Sequence, residues 1–129
     1  MPAPRSVLAA LALAPGLILL ALAPAAAQPA QVTVQVYSFG FAPQPIRLAA
    51  GRPVTLTFVN QSGSHHDFSA RAFFAHARIT AGAAPDGEID LMPHETKSIT
   101  LVPERGTYHA HCSHFFHKQL GMSETILVE

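Results

Sequence analysis

Residues Tyr108–Met122 read Tyr-His-Ala-His-Cys-Ser-His-Phe-Phe-His-Lys-Gln-Leu-Gly-Met. This stretch holds the only cysteine of the chain, four of its eight histidines and one of its three methionines. Thiolate, imidazole and thioether are soft or borderline ligands, and two histidines, one cysteine and a distant methionine are the ligand set of one class of copper site. Cys112, His117 and Met122 can supply three of these four ligands, so the stretch predicts a metal-binding loop at the end of a strand.

The remaining histidine has to come from a distant part of the chain. His65 and His66 follow a strand-like segment and a polar loop, where a rigid scaffold can present side chains to a site. Within the C-terminal stretch, His114 is the alternative to His117. A histidine two residues after an inward-facing cysteine would have to reach round from the strand end, whereas four intervening residues allow a turn that returns the imidazole to the same metal.

Three other interpretations of Cys112 compete with a copper site. It could be a small buried core residue followed by a solvated histidine-rich turn. It could belong to a structural zinc site, although such sites usually draw on more than one cysteine and do not need methionine. It could also be a thiol nucleophile with a histidine base. None of the three accounts for Met122 beside the histidines.

The N-terminal residues 1–27 have the pattern of a secretory signal. Arg5 precedes a Leu/Ala-rich apolar segment, and Ala25–Ala27 supplies the small residues that a signal peptidase recognises. Pro15-Gly16 interrupts the apolar run, which argues against a permanent membrane span. We expect cleavage after Ala27 and an exported, periplasmic protein with one domain at residues 28–129, an uncleaved N-terminal anchor being the alternative.

The charge of the chain excludes some partners. Eight basic and eight acidic residues give a formal net charge of zero, and removal of Arg5 with the signal leaves one acid in excess. This balance does not indicate binding to nucleic acid or an electrostatic contact with membranes. A single cysteine cannot form an internal disulfide, and an exported thiol is open to oxidation unless it is buried or bound to metal.

Alternating apolar residues predict strands through most of the domain, as in Val32, Val34 and Val36. We expect a Greek-key β-sandwich with one short helix at Ser69–Arg78, capped by Ser69, and a segment Thr80–Met92 that is mostly loop. In the strand before the metal loop, the period of two places His109 and His111 on the face opposite Cys112. The predicted strands are residues 31–36, 46–48, 54–59, 96–102, 107–112 and 125–128.

The chain resembles the cupredoxins, single-domain blue copper proteins of the plastocyanin and azurin type. Each matching segment is short, but their order along the chain is that of the family. Four segments carry the likeness besides the metal loop: Phe41–Ile46 is similar to an F-x-P-x-x-I opening, Gly51–Asn60 to a G-x-x-V-x-φ-x-F-x-N strand in which φ is hydrophobic, Pro93–Leu101 to a strand entered from a proline turn, and Gly106-Thr107-Tyr108 to the residues before the ligand cysteine.

This resemblance implies one copper ion per chain. It favours His66 over His65, because the family's ligand histidine directly precedes an Asn-like residue, here Asp67, whose side chain could bind the loop backbone and brace the site. The implied equatorial ligands are His66, Cys112 and His117, and the implied axial ligand is Met122.

The same resemblance implies a monomeric electron carrier that serves periplasmic redox partners. In the family the C-terminal ligand histidine emerges through an apolar patch, which Phe115, Phe116 and Leu120 could form around His117. The alternative is a copper-handling or copper-tolerance protein that interacts with other copper-handling proteins and has no redox-chain role. Surplus histidines support that alternative, with His109 and His111 the best-placed pair for a second metal.

The loop spacing also echoes the type 1 site of multicopper oxidases. Those enzymes need a histidine directly after the cysteine, and this chain has Ser113 there. We therefore expect no enzymatic activity.

Overall fold

The computed structural model describes residues 1–6, 9–12, 16, 18–24, 28–114 and 122–129. Within these ranges the chain forms ten strands, one α-helix and one 3-10 turn. They are β1 (Ala30–Tyr37), β2 (Gly40–Ala42), β3 (Ile46–Leu48), β4 (Val54–Asn60), β5 (His66–Ser69), α1 (Arg71–His76), β6 (Arg78–Ala81), the 3-10 turn Pro85–Gly87, β7 (Glu88–Leu91), β8 (Thr96–Val102), β9 (Gly106–His111) and β10 (Ser123–Val128).

The strands form two five-stranded sheets, which confirms the predicted all-β sandwich with one short helix. One sheet has the order β2-β1-β4-β8-β6, and the other has the order β3-β10-β9-β5-β7. β1 pairs with β4 and β3 with β10 in parallel, while the remaining pairs are antiparallel. The predicted metal loop connects β9 to β10, which are neighbours in the second sheet.

The core lies between the two sheets and contains a cluster of aromatic rings. Phe68 in β5 is fully buried, and its ring centroid lies 5.3 Å from that of Phe41 and 4.8 Å from that of Phe58. Ring contacts of this kind stabilise the core beyond the effect of burying apolar area. Since Phe68 follows His66 and Asp67 directly, the core fixes the strand that presents both residues.

The predicted helix Ser69–Arg78 is shorter, Arg71–His76, and Ser69 does not cap it. Ser69 is instead the last residue of β5, where it pairs with Glu88 on one side and His111 on the other. Pairing in a three-strand arrangement outweighs the local capping preference of serine. Both phenylalanines of the helix are buried, so the predicted attachment of the helix to the core is confirmed.

The prediction that Thr80–Met92 is mostly loop was wrong, because the segment contains the end of β6 and all of β7. All four residues of β6 are exposed, and its Arg-Ile-Thr-Ala alternation is too short to mark this edge strand. β7 buries Ile89 and Leu91 in alternation, but it is only four residues long. β2 and β5 are also short strands that were not predicted from the sequence.

None of the helices in the described ranges is long and apolar enough to cross a membrane. The assignment of residues 1–27 as a cleaved signal stays a prediction.

Candidate metal centre

His66 and Cys112 meet at one end of the second sheet. His66 is the first residue of β5, and Cys112 directly follows β9, which pairs with β5 in antiparallel register at Ser69 and His111. The two side chains are buried, with 1% and 0% of their surface exposed. His66 Nδ1 lies 3.9 Å from Cys112 Sγ.

This separation fits two ligands of one metal ion. Bonds of about 2.3 Å to a thiolate and about 2.0 Å to an imidazole, at an angle between tetrahedral and trigonal, hold the two donor atoms about 3.5–3.8 Å apart. The observed 3.9 Å between His66 Nδ1 and Cys112 Sγ is close to this range. Imidazole and thiolate together are also a donor set that suits copper.

Met122, the predicted axial ligand, lies beside Cys112. Its carbonyl oxygen accepts a 3.1 Å hydrogen bond from the Cys112 backbone N–H, which extends the β9–β10 ladder by one pair. Its side chain is fully buried. The structure therefore brings three of the four predicted ligands to one end of β5, β9 and β10. His117 lies outside the described residues, as do Phe115, Phe116 and Leu120.

Asp67 ties β5 to the start of the metal loop. Its Oδ1 accepts a 2.9 Å hydrogen bond from the backbone N–H of Ser113, and its Oδ2 accepts a 2.5 Å bond from the Ser113 hydroxyl. The carboxylate is buried. This contact with the loop backbone is the predicted brace. The role of Ser113 as its partner was not predicted, because nothing in the sequence shows that residues 67 and 113 meet.

Opposing effects act on the pKa of the Cys112 thiol, and together they raise it. Burial raises the pKa of the thiol, hydrogen bonds from the backbone N–H groups of Asp67 and His114 lower it, and the carboxylates of Asp67 and Glu88 raise it again. Metal binding requires the thiolate, so loading the site releases a proton. The two backbone N–H groups would be available as donors to a metal-bound sulfur, and such bonds tune the redox potential of copper–thiolate sites.

Asn60 is a buried positioning residue that the sequence analysis also missed. Its side-chain N–H₂ group donates to the carbonyl oxygens of Ser64 at 2.8 Å, Met92 at 3.0 Å and Leu91 at 3.3 Å. Its Oδ1 accepts from the backbone N–H of Ser62 at 3.0 Å and from the Ser62 hydroxyl at 2.9 Å. One amide thus joins the turn before β5 to the end of β7. The signal in the sequence was an asparagine closing an apolar strand.

His65 and His114 make a different set of contacts. His65 Nε2 lies 2.5 Å from Asp90 Oδ1, and the His65 and His114 ring centroids are 4.4 Å apart. His114 Nε2 lies 3.5 Å from Asp67 Oδ2. Of the two adjacent histidines, His66 therefore contacts the sulfur while His65 contacts Asp90.

His109 and His111 lie on the face predicted for them. His109 is exposed and His111 half-buried, whereas Tyr108, Ala110 and Cys112 on the opposite face are buried. In the described part of the chain, groups of at least three potential metal ligands occur at His65, Asp90 and His114 and at Asp67, Cys112 and His114. Neither group includes the pair at 109 and 111.

Comparison with known families agrees with this fold. The sequence matches the family model described as "Cupredoxin-like domain" over residues 8–127. The chain belongs to the cupredoxin-like family. The predicted resemblance is thereby confirmed. Comparison with curated protein sequences gives no significant match.

Solved structures with the same fold include single-domain and larger proteins. Auracyanin B is 24% identical, with 81% of this chain and 92% of that chain covered and a TM-score of 0.55. A multicopper oxidase from Pediococcus acidilactici is 14% identical (76% and 25% covered, TM-score 0.60), and the Campylobacter jejuni multicopper oxidase, a metallo-oxidase, is 12% identical (83% and 31% covered, TM-score 0.62). At these identities the likeness concerns the fold alone, and this cupredoxin spans about a third or less of each oxidase.

Proposed function

We propose that this cupredoxin is an exported type 1 copper protein that carries single electrons between periplasmic redox partners. It binds one copper ion through His66, Cys112, His117 and Met122. The observation that carries the proposal is the buried pair His66 Nδ1 and Cys112 Sγ, 3.9 Å apart, with Met122 beside the cysteine.

The mixed donor set supports a redox role. When bound to such ligands, copper can cycle between Cu(II), which thiolate and imidazoles stabilise, and Cu(I), which sulfur favours. The chain's own part is to hold the donors still and to exclude water. Because His66, Cys112 and Met122 are buried, water is excluded from these donors.

Two hydrogen-bond networks hold the donors in place. Asp67 binds Ser113 and so links the histidine strand to the cysteine loop. Asn60 fixes the turn that leads into His66. A donor set that moves little between oxidation states keeps the rearrangement on electron transfer small, which favours fast transfer.

Ser113 also argues against an oxidase role. An oxidase would need a histidine at this position to relay electrons from the thiolate. Here the residue is a serine whose backbone N–H and hydroxyl both bond to Asp67. We therefore assign electron carriage without catalysis.

We place the docking surface for redox partners around His117, with Phe115, Phe116 and Leu120 as its apolar residues. This placement rests on the family resemblance, since these residues lie outside the described ranges. We expect the carrier to act as a monomer.

The proposal is tested by redox cycling of the copper-loaded protein. The holoprotein is reduced with ascorbate, reoxidised with ferricyanide and passed through a desalting column after each cycle, with a Cu(I) chelator present. An electron carrier keeps one copper ion per chain through repeated cycles. If the chelator removes the copper on the first reduction, electron carriage is refuted and copper handling becomes the proposed function.

A further inference from the structure

We propose that His65, Asp90 and His114 form a second metal site, which takes a divalent transition-metal ion such as Zn²⁺. The site is separate from the pair formed by His66 and Cys112, and it does not depend on the proposed electron transfer. It also replaces His109 and His111 as the place where a second metal would bind.

The donor atoms of the three side chains are close enough to converge on one ion. One nitrogen from each histidine and one carboxylate oxygen lie within 4.8 Å of one another. A tetrahedral zinc site with bonds of about 2.0 Å needs donor separations of about 3.3 Å. All three side chains are partly exposed, with 32–49% of their surface accessible, so they can rotate toward a common centre.

The chemistry of the group suits a divalent ion. Two imidazoles and one carboxylate are ligands that Zn²⁺ commonly takes, and three protein ligands leave a fourth position for water. His65 Nε2 lies 2.5 Å from Asp90 Oδ1, a contact that would lengthen to about 3.3 Å when both atoms bind one ion. The two imidazole rings lie in edge-to-face contact.

The surrounding charge favours a cation. Asp67 and Asp90 are paired across β5 and β7, and Glu88 is paired with Ser69 two positions along the same strands. Asp67, Asp90 and Glu88 outnumber Arg71, the basic residue beside Glu88, and a bound divalent ion would offset the excess negative charge.

The sheet fixes the backbone positions of the three ligands. Asp90 belongs to β7, His65 directly precedes β5, and His114 follows β9 by a short step. Backbone pairing fixes β5 between β7 and β9. Asp67 lies between this site and the cysteine. His114 Nε2 is 3.5 Å from Asp67 Oδ2, and Asp67 Oδ2 is 3.9 Å from Cys112 Sγ.

Calorimetric titration of the chain with ZnCl₂ tests the site. The Cys112→Ser variant serves as the background, because it lacks the thiolate that could bind Zn²⁺ at the other centre. We expect one equivalent of Zn²⁺ to bind. Asp90→Asn and His65→Gln, each in this background, should weaken binding by at least roughly tenfold, since changes even to outer-shell partners of metal sites typically cost that much.

Two matched variants separate ligation from general effects. Asp86→Asn removes the same charge from the neighbouring 3-10 turn, and asparagine tolerates the positive φ of 55° at that position. His109→Gln removes an exposed imidazole that belongs to neither group of ligands. Both should leave the Zn²⁺ affinity within about twofold of the background.

Three results would overturn the second site. They are absence of Zn²⁺ binding to the Cys112→Ser chain, an unchanged affinity in Asp90→Asn, and equal losses in the Asp86→Asn control. Circular dichroism of each variant checks that the fold is retained. A failure here would leave the redox-cycling result untouched, because the Zn²⁺ titration is done on a chain without the copper thiolate.

Discussion

Replacing Asn60 by alanine should destabilise the protein and loosen the metal centre together. The side chain takes part in five hydrogen bonds, four of them at 2.8–3.0 Å and one at 3.3 Å. Asn60 is buried, so alanine leaves backbone carbonyls of β7 and of the following turn with poorer partners. The truncation acts on the turn that leads directly into His66.

The size of the effect follows from the number of bonds. A typical intramolecular hydrogen bond contributes about 1 kcal/mol net, and a buried group left unsatisfied costs about 1–3 kcal/mol. Water can reach the partly buried partners at Ser64 and Met92 and recover part of the loss. We therefore expect the free energy of unfolding to fall by about 3 kcal/mol, a large share of the roughly 5–15 kcal/mol that holds a domain together.

The assay is urea unfolding of metal-free protein, followed by circular dichroism. Gln44→Ala is the matched control, because Gln44 is an exposed amide that makes one 2.9 Å bond, to the Ser123 carbonyl oxygen. The control should lose less than about 1 kcal/mol. Asn60→Asp keeps the acceptor for Ser62 but loses every donated bond, and we expect it to lose at least as much stability as Asn60→Ala because a charge then faces three carbonyl oxygens.

If Asn60→Ala loses no more stability than the Gln44→Ala control and binds copper with unchanged affinity, the amide does not organise the turn. The argument that the Asn60 network positions His66 would then be wrong.

Three further predictions concern the site and the core. His66→Ala should abolish the intense thiolate-to-copper absorption band while His65→Ala retains it, as measured on copper-loaded protein, and the reverse result would exchange the two assignments. Asp67→Asn removes a negative charge 3.9 Å from the Cys112 sulfur, so voltammetry should give a higher reduction potential; a lower one would show that the carboxylate does not act through its charge. Burial raises the pKa of Glu124 from 4.5 to about 7, so the unfolded state ionises first, and stability should fall by up to about 3 kcal/mol as the pH rises from 4.5 to 7. Urea unfolding at a series of pH values should show that Glu124→Gln no longer loses stability over this pH range. An unchanged loss in Glu124→Gln would show that Glu124 is not its source.

The parts of the fold that sequence reasoning predicted are those with strong alternation. β4 alternates apolar and polar residues from Val54 to Phe58 and β8 from Ser98 to Leu101, and both were predicted with nearly the right bounds. β6 could not be found in this way because none of its residues is buried. β5 is only four residues long and buried throughout, so it has no alternation to detect.

The candidate ligands could be chosen from the sequence because their chemistry is rare. One cysteine beside histidines and a methionine leaves few interpretations, whatever the fold. Contacts between distant polar residues were not predictable in the same way. The approach of His65 to Asp90 depends on the register between β5 and β7, and the buried position of Glu124 depends on which face of β10 turns inward.

The measurement that most directly tests the copper assignment is a Cu(II) titration of the purified protein, followed by visible absorption and EPR. We predict an intense thiolate-to-copper charge-transfer band that saturates at one equivalent and is absent from Cys112→Ser, whose circular dichroism stays that of the wild type. A weak spectrum of ordinary imidazole-bound copper in the wild type, or a band that persists in Cys112→Ser, would contradict the account.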